Sequence, residues 1–321
     1  MTLSSENLRI EKIALAMAVY EPKAEHFREQ LQSISDQTFK NWQCFVTSDS
    51  SLTAFRSDIQ FKQFFEDPRF IWSENPRRLG HKKNFEHAIQ LATQSGAQAI
   101  GCSDQDDVWY PQKLSVSKEA LEKAGPLSLV HCDMDVLRNG GVKDAQTAWK
   151  TERRGIHDCS PQHFLIRNIV AGCSMLFDAE LARRFVSVPD EADYHDHWYA
   201  LVASCFGGVH AIGEPLFAYR VHGENVVGVS PYQSLFYVPQ GVNAHGVVQK
   251  CKNGWKKSQN LVEAGIKVGL PLTQCQRGIF LRRDLGLGVL LMGLRHLGDD
   301  LPLARACLAR GAGKFFVTFL G

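Results

Sequence analysis

Along the first 135 residues, short apolar runs alternate with stretches whose apolar positions recur at helical spacing. Ile13 to Val19 is an unbroken apolar run, the pattern of a strand buried on both faces. Pro22 then opens a predicted helix with Phe27, Leu31 and Ile34 on one face. Trp42 to Thr47 predicts a second strand, closed by Ser48-Asp49-Ser50, and Thr53 to Phe65 a helix. Phe70 to Trp72 predicts a third strand. After Gly80, His81 to Gln94 predicts a helix with Phe85, Ile89 and Ala92 inward. Ala99 to Cys102 predicts a fourth strand. Pro111 to Lys123 predicts a helix with its proline in the first turn. Leu129 to Cys132 predicts a fifth strand, ending in Asp133-Met134-Asp135. Strands separated by helices imply parallel pairing in an α/β sheet. Ligands of such sheets bind outside the carboxyl ends of the strands.

From about 136 to 235 the pattern is less regular. Ser160-Pro161 predicts a capped helix reaching about Asn168. Cys173 to Phe177 predicts a strand and Glu180 to Val186 a helix. Asp193 to Trp198 leads into an apolar helix, Tyr199 to Phe206, and Val209 to Ile212 and Leu216 to Tyr219 predict closing strands. Residues 1–135 and 136–235 are expected to form two halves of one domain, and 236–321 a basic, mainly helical extension.

Composition narrows the class. The hydrophobic fraction is 44%, that of an ordinary globular protein. Nine cysteines are scattered singly without a Cys-x-x-Cys pair, which suits reduced thiols in the cytoplasm better than a disulfide framework or zinc site. The polar segment Met1 to Glu11 lacks the layout of a signal peptide. No run approaches the roughly 20 apolar residues needed to span a bilayer. The net charge of +2 is unevenly spread: Lys250 to Gly321 carries +8, so the first 249 residues carry −6. The basic tail could face an anionic surface or lipid-linked phosphate at the inner face of a membrane, or be a solvated helical face. With its basic residues confined to that tail, the chain has no recognisable nucleic-acid-binding motif.

The chemistry concentrates in Ser103-Asp104-Gln105-Asp106-Asp107, directly after the fourth predicted strand. Three carboxylates in four residues repel one another, and a divalent cation relieves that repulsion. Hard oxygen ligands suit Mg²⁺ or Mn²⁺ rather than zinc. An Asp-rich turn that caps a helix gives the same local sequence. Asp49 and Asp133 also fall at predicted strand ends. There is no Gly-x-Gly-x-x-Gly after the first strand and no Gly-Lys-Ser/Thr loop, so neither a common dinucleotide fold nor a P-loop is expected.

Four segments, in order, resemble those of family 2 glycosyltransferases with the GT-A fold. Ala99 to Leu114 resembles their metal-binding segment. His195-Asp196-His197-Trp198 resembles the one that supplies the general base. Gly80-His81-Lys82-Lys83-Asn84-Phe85 also fits. Tyr219 to Gly228 resembles the closing segment of a bacterial rhamnosyltransferase-like branch. The likeness covers about 10 to 230. It implies a Rossmann-like mixed sheet flanked by helices, with a helical C-terminal extension.

The resemblance also assigns roles. Asp106 is the implied direct metal ligand, with Asp107 on the metal or its shell and His222 completing coordination or touching the diphosphate. Asp104 would contact the ribose, Asp49 the base or ribose, and Tyr20 the base. Asn84 and Lys83 would lie near the sugar donor, and Arg220 would pair with the phosphates. Asp196 would be the general base, although an aspartate at a helix start is also a common cap; Trp198 would form a wall for a sugar ring. Many relatives carry Glu-Asp where this chain has His195-Asp196. One carboxylate base without an evident second nucleophile suits an inverting displacement. The implied activity is transfer from a nucleoside-diphosphate sugar, with rhamnose as a candidate, to a glycan or lipid-linked glycan. A sugar-phosphate nucleotidyltransferase is a rival, although Tyr20-Glu21-Pro22-Lys23 stands where its glycine-rich loop is expected. An inactive glycan-binding scaffold is another.

Overall fold

A computed structural model describes residues 8–138, 141–154, 159–185, 187–222, 229, 244–274, 276–277, 287–295 and 301–320. Three parallel crossovers build its first half. Strand β1 (Ile13–Val19) pairs with β2 (Trp42–Ser48) on one side and β4 (Ala99–Ser103) on the other, and β2 pairs with β3 (Phe70–Glu74). Helices α1 (Ala24–Ser35) and α4 (His81–Thr93) make two of the crossovers. The third uses α2 (Thr53–Ser57) and α3 (Lys62–Glu66), two short helices where the sequence pattern predicts one. The Asp58 side chain accepts from the Gln60 amide and turns the chain between them.

Beyond β4 the sheet changes character. Its order is β3-β2-β1-β4-β8-β6-β9-β5, with β7 (Val142–Lys143) attached to β6. The short β5 (Val108–Trp109) leads into α5 (Lys113–Ala124) and then β6 (Ser128–Arg138). Helices α6 (Ala148–Glu152) and α7 (Pro161–Ile166) and a 3₁₀ turn at Gly172–Ser174 precede β8 (Met175–Asp178). β8 lies antiparallel to both β4 and β6, so the sheet is mixed. Helices α8 (Ala179–Arg184) and α9 (His195–Ser204) then lead to β9 (Gly208–Arg220).

Two expectations from the sequence are corrected here. The fifth predicted strand does not end at Cys132: β6 continues to Arg138, beside a β9 that is one long strand instead of two short ones. A register irregularity around Asp133 absorbs the polar residue, and its Oδ1 accepts from the Met134 and Trp149 amides. Asp133 is therefore a buried cap for α6 and not a strand-end acid facing a crevice.

The core lies on both sheet faces, as alternation along β1 requires. Ala14 and Ala16 face Phe85 and Ile89 of α4, while Ile13, Leu15 and Met17 face Phe27 and Leu31 of α1. The extension contributes α10 (Ala244–Lys267), α11 (Leu287–Arg295) and α12 (Leu301–Leu320), and α10 and α12 pack on α7. No helix among the described residues is long and apolar enough to cross a membrane.

Candidate active site

The register places the carboxyl ends of β1, β2 and β4 side by side. Tyr20, Asp49 and Asp104 follow these ends, and all three line one cleft of about 630 Å³. The backbone of Tyr20 is clasped by the side-chain amide of Gln105, whose Oε1 accepts from the Tyr20 amide at 2.8 Å and whose Nε2 donates to the Tyr20 carbonyl at 3.1 Å. The Arg78 guanidinium lies over the Tyr20 ring, 4.0 Å from its centroid. Gln105 and Arg78 are cleft residues that the sequence reading gave no role.

Asp49 holds the loop before α4. Its Oδ1 accepts from Asn75 Nδ2 and the Leu79 amide, and its Oδ2 accepts from the Gly80 amide at 2.7 Å. Gly80 takes φ 82°, where a side chain is strained, and its carbonyl accepts from the Asn84 amide in the first turn of α4. The Asn84 side chain accepts from Asn75 and donates to the Val19 carbonyl. Asp49 and Asn84 thus tie the ends of β1 and β2 to α4 at the cleft wall.

The acidic loop splits in two directions. Asp104 and Asp106 line the cleft, and His222 Nε2 sits 2.6 Å from Asp106 Oδ2. Asp107 is fully buried behind them. Its Oδ1 accepts from the Arg220 amide at 3.1 Å, while its Oδ2 has no hydrogen-bond partner. Burial, and then the charge of Asp106, push the Asp104 carboxyl up to about 7. Burial, and then the charges of Asp104 and Asp106, also push the Asp107 carboxyl well above the usual carboxylate range. Arg220 is largely buried: its guanidinium donates to the Asp106 carbonyl at 2.8 Å and pairs with Glu29. It braces the loop from behind and does not line the cleft. The remainder of the segment that resembles the rhamnosyltransferase-like closing motif, 223–228, lies outside the described residues.

One cation faces this cluster from within the core. Lys113 is 3% exposed, donates to the Cys173 carbonyl at 2.5 Å, and sits over the rings of Trp109 and Phe217 at 4.3 and 3.8 Å. It lowers the cost of ionising Asp104 and Asp107. The sequence signal was Pro111-Gln112-Lys113-Leu114, where lysine at the start of an amphipathic helix reads as solvated.

The 168–172 segment and the start of α9 line the same cleft. Asp196 lines the cleft in the first turn of α9. Burial raises its carboxyl to about 6, opposed by hydrogen bonding to the His197 and Gly172 amides, by Arg154 and by Asn168. The His197 ring points away, Nε2 lying 2.5 Å from the Phe164 carbonyl. Trp198 is wholly buried and contributes nothing to the cleft. The aromatic wall beside Asp196 is made by Phe85, Tyr194 and His195 instead. Helical geometry explains the correction, because position 198 lies two residues beyond Asp196 and faces the core.

The residues present fit a hard divalent cation. Asp104 and Asp107 offer neighbouring carboxylate oxygens, the Asp107 Oδ2 being a buried orphan, and Asp106 lines the cleft beside Asp104 with His222 against its Oδ2. Ligand atoms of Asp104, Asp107 and Cys173 lie within 4.8 Å of one another. Burial holds the Cys173 thiol in its protonated form, so the oxygens are the better ligands.

A mixed sheet with an acidic loop after β4, and a further acid in the same cleft at the head of a helix, is the arrangement that the resemblance to GT-A glycosyltransferases implied. The model for glycosyl transferase family 2 matches residues 16–178, just over half of the chain, and the chain belongs to that family. An uncharacterized glycosyltransferase of Methanocaldococcus jannaschii is 21% identical over 212 residues, covering 65% of this chain and 70% of the relative. A Bacillus subtilis protein named as a glycosyltransferase, EpsE, is 26% identical over 147 residues, 45% of this chain and 51% of that protein. The chain thus spans between half and seven tenths of these relatives. Among solved structures, S. aureus TarS 1–349 in complex with UDP-GlcNAc superposes with a TM-score of 0.51 at 14% identity, covering 94% of this chain and 89% of that one. At that identity the likeness concerns the fold.

Proposed function

We propose that this glycosyltransferase moves a sugar from a nucleoside diphosphate to an acceptor hydroxyl by a single inverting displacement. The observation that carries the reading is that Asp104, Asp106 and Asp196 line one cleft together. Tyr20, Asp49 and Arg78 line the end suited to the nucleotide. Asp104, Asp106 and Asp107, with His222, would hold Mn²⁺ or Mg²⁺, which when bound supplies Lewis-acid stabilisation of the departing diphosphate. Asp196 accepts the proton of the attacking hydroxyl, and a carboxyl raised to about 6 is a stronger base than an ordinary one while still ionised near neutrality. Asn168 and the His197 amide hold it in place. The other carboxylates that line the cleft, Glu21, Asp49, Asp104 and Asp106, follow the ends of β1, β2 and β4, where the nucleotide and its diphosphate would sit, which leaves Asp196 as the base and favours inversion.

In this reading residues 1–135 serve the sugar nucleotide and 136–235 the acceptor. The resemblance to the rhamnosyltransferase-like branch favours a deoxyhexose such as rhamnose on the donor, and a bacterial surface glycan, free or lipid-linked, as acceptor. The basic extension from 236 is suited to bring the protein to an anionic membrane face from the cytoplasm. Asp106→Ala is expected to abolish metal-dependent hydrolysis and transfer. Asp196→Asn is expected to lower transfer by at least about 100-fold while sugar-nucleotide binding, followed by calorimetry with Mn²⁺, persists. Full transfer by Asp196→Asn would refute the base role.

A further inference from the structure

His195 is the unusual residue of this cleft. It lines the cavity, yet it is only 2% exposed. Neither ring nitrogen has a hydrogen-bond partner. A buried imidazole with both nitrogens unmet forfeits two hydrogen bonds that water would supply, so a partner that arrives with the substrate is the economical explanation. Burial, and then the neighbouring His81, hold the ring well below its usual pKa and therefore neutral. A neutral imidazole offers one donor and one acceptor. The two nitrogens point apart, so that pair matches two neighbouring hydroxyls, one accepting and one donating, and does not match a carboxylate or a phosphate, which only accept.

The ring is also held rigidly. It stacks on Phe85 of α4 with centroids 4.1 Å apart and planes 20° apart. Its other side abuts Gly172, where an added Cβ would lie 2.7 Å from Nε2 and 3.8 Å from the Asp196 Cβ. Glycine at 172 leaves room for the imidazole against the backbone. The segment that follows reaches the acidic loop, since Cys173 shares the ligand-distance cluster with Asp104 and Asp107. His195 therefore lines the same cavity as Asp104 and Asp106, which would hold the diphosphate, and as its neighbour Asp196, which would activate the acceptor. In a displacement at an anomeric carbon, the transferred sugar occupies that cavity between diphosphate and acceptor.

We infer that His195 recognises neutral hydroxyls of the transferred sugar, donating a hydrogen bond to one from one ring nitrogen and accepting from another at the other, and so helps to select which sugar the enzyme takes. This rests on the proposed glycosyl transfer and adds to it a determinant of the sugar, separate from the nucleotide and metal contacts. The residue is a specificity determinant for an uncharged hexose or deoxyhexose; a uronic acid would place a carboxylate against the lone pair of the ring.

The test measures the increment in affinity that the sugar adds to the nucleotide. With full-length protein and Mn²⁺, calorimetry compares UDP, dTDP and GDP with UDP-GlcNAc, dTDP-rhamnose and GDP-mannose. His195→Phe keeps the stack on Phe85 and removes both nitrogens. It should bind the preferred nucleoside diphosphate as wild type does and bind the matching sugar nucleotide about 10-fold or more weakly. His195→Gln, which keeps a donor and an acceptor, should recover part of the increment. In the wild-type protein, the ¹⁵N signals of the His195 ring should move on adding the sugar nucleotide and stay put with the nucleoside diphosphate alone. An unchanged sugar increment in His195→Phe, or ring signals indifferent to the sugar, would overturn the inference with the wider reading intact. Absence of binding by any of the nucleotides would overturn the reading of the cleft itself, and the role of His195 with it.

Discussion

Asp196 shows most directly how a site can work against the stability of its own fold. Its carboxyl is raised from 3.8 to about 6, with burial as the main cause. A raised acid holds its proton more tightly in the folded protein than in the unfolded chain. The stability it contributes is therefore full below the ordinary carboxylate range and is lost as pH rises through about 6. Between about pH 4 and pH 7 this one group should cost the fold about 2 kcal/mol. Asparagine cannot ionise, so Asp196→Asn should escape that loss. Urea unfolding of wild type and variant at both pH values reads the effect, because the other titrating groups remain in both and Asp104, which the Asp196 charge helps to raise, shifts the difference in the same direction. The stability difference should shift by about 2 kcal/mol in favour of the variant as pH rises. A difference independent of pH would mean that the carboxyl is not raised. The variant expected to lose transfer is thus expected to be the more stable protein near neutrality, as strained catalytic groups often allow.

At the scale of elements, the joint between α5 and the 3₁₀ turn at Gly172–Ser174 organises the site. Lys113, the first residue of α5, reaches under the acidic loop to the Cys173 carbonyl and rests on two aromatic faces. Lys113→Met keeps the stem and removes the charge, leaving the Asp104 carboxylate, ionised at about pH 8, above its value of about 7, without its buried counter-cation. Losing one member of a buried charge arrangement typically costs about 3–5 kcal/mol, and a fall of that size in unfolding free energy without divalent ions is the expected result. A fall below about 1 kcal/mol, the range of an exposed lysine, would show the ammonium to be dispensable. This joint also marks where the sequence stops being legible. Apolar runs and helical spacing give β1, β2, β4, α1 and α4 nearly residue for residue, because those elements bury continuous stripes. They miss the run of β6 past Asp133, since a buried acid that caps backbone amides looks in sequence like the end of a strand. The pattern places acids at the carboxyl edge of the sheet, but spacing alone carries no direction for a side chain. Only coordinates separate Asp104 and Asp106, which face the cleft, from Asp107 and Arg220, which lie behind it.

For the molecule as a whole, the question is whether the helical extension is a separate unit or part of one core. Trp255 of α10 is 1% exposed and belongs to the same continuous apolar cluster as Phe164 of α7, Tyr199 of α9 and Phe177 of β8. Leu261, Val262, Leu303 and Cys307 extend that cluster into α10 and α12. The two helices approach so closely that a Cβ at Gly313 would lie 2.0 Å from the Cys251 carbonyl oxygen, and Arg310 crosses Gly254 to reach Ser258. Lys257 pairs with Asp193, just before α9, and Gln276 pairs with Gln162 of α7. Contacts of this kind make the extension a flank of the catalytic fold, so unfolding it exposes the apolar surface of α7 and α9. Trp255→Ala should therefore cost about 3–5 kcal/mol and shift one cooperative urea transition to lower concentration with its slope unchanged. Fluorescence from the remaining tryptophans and far-ultraviolet circular dichroism should report the same midpoint. An early transition seen only in helical signal, with the second midpoint left at its wild-type value, would mean that the extension folds on its own and that the shared core does not couple it to the sheet.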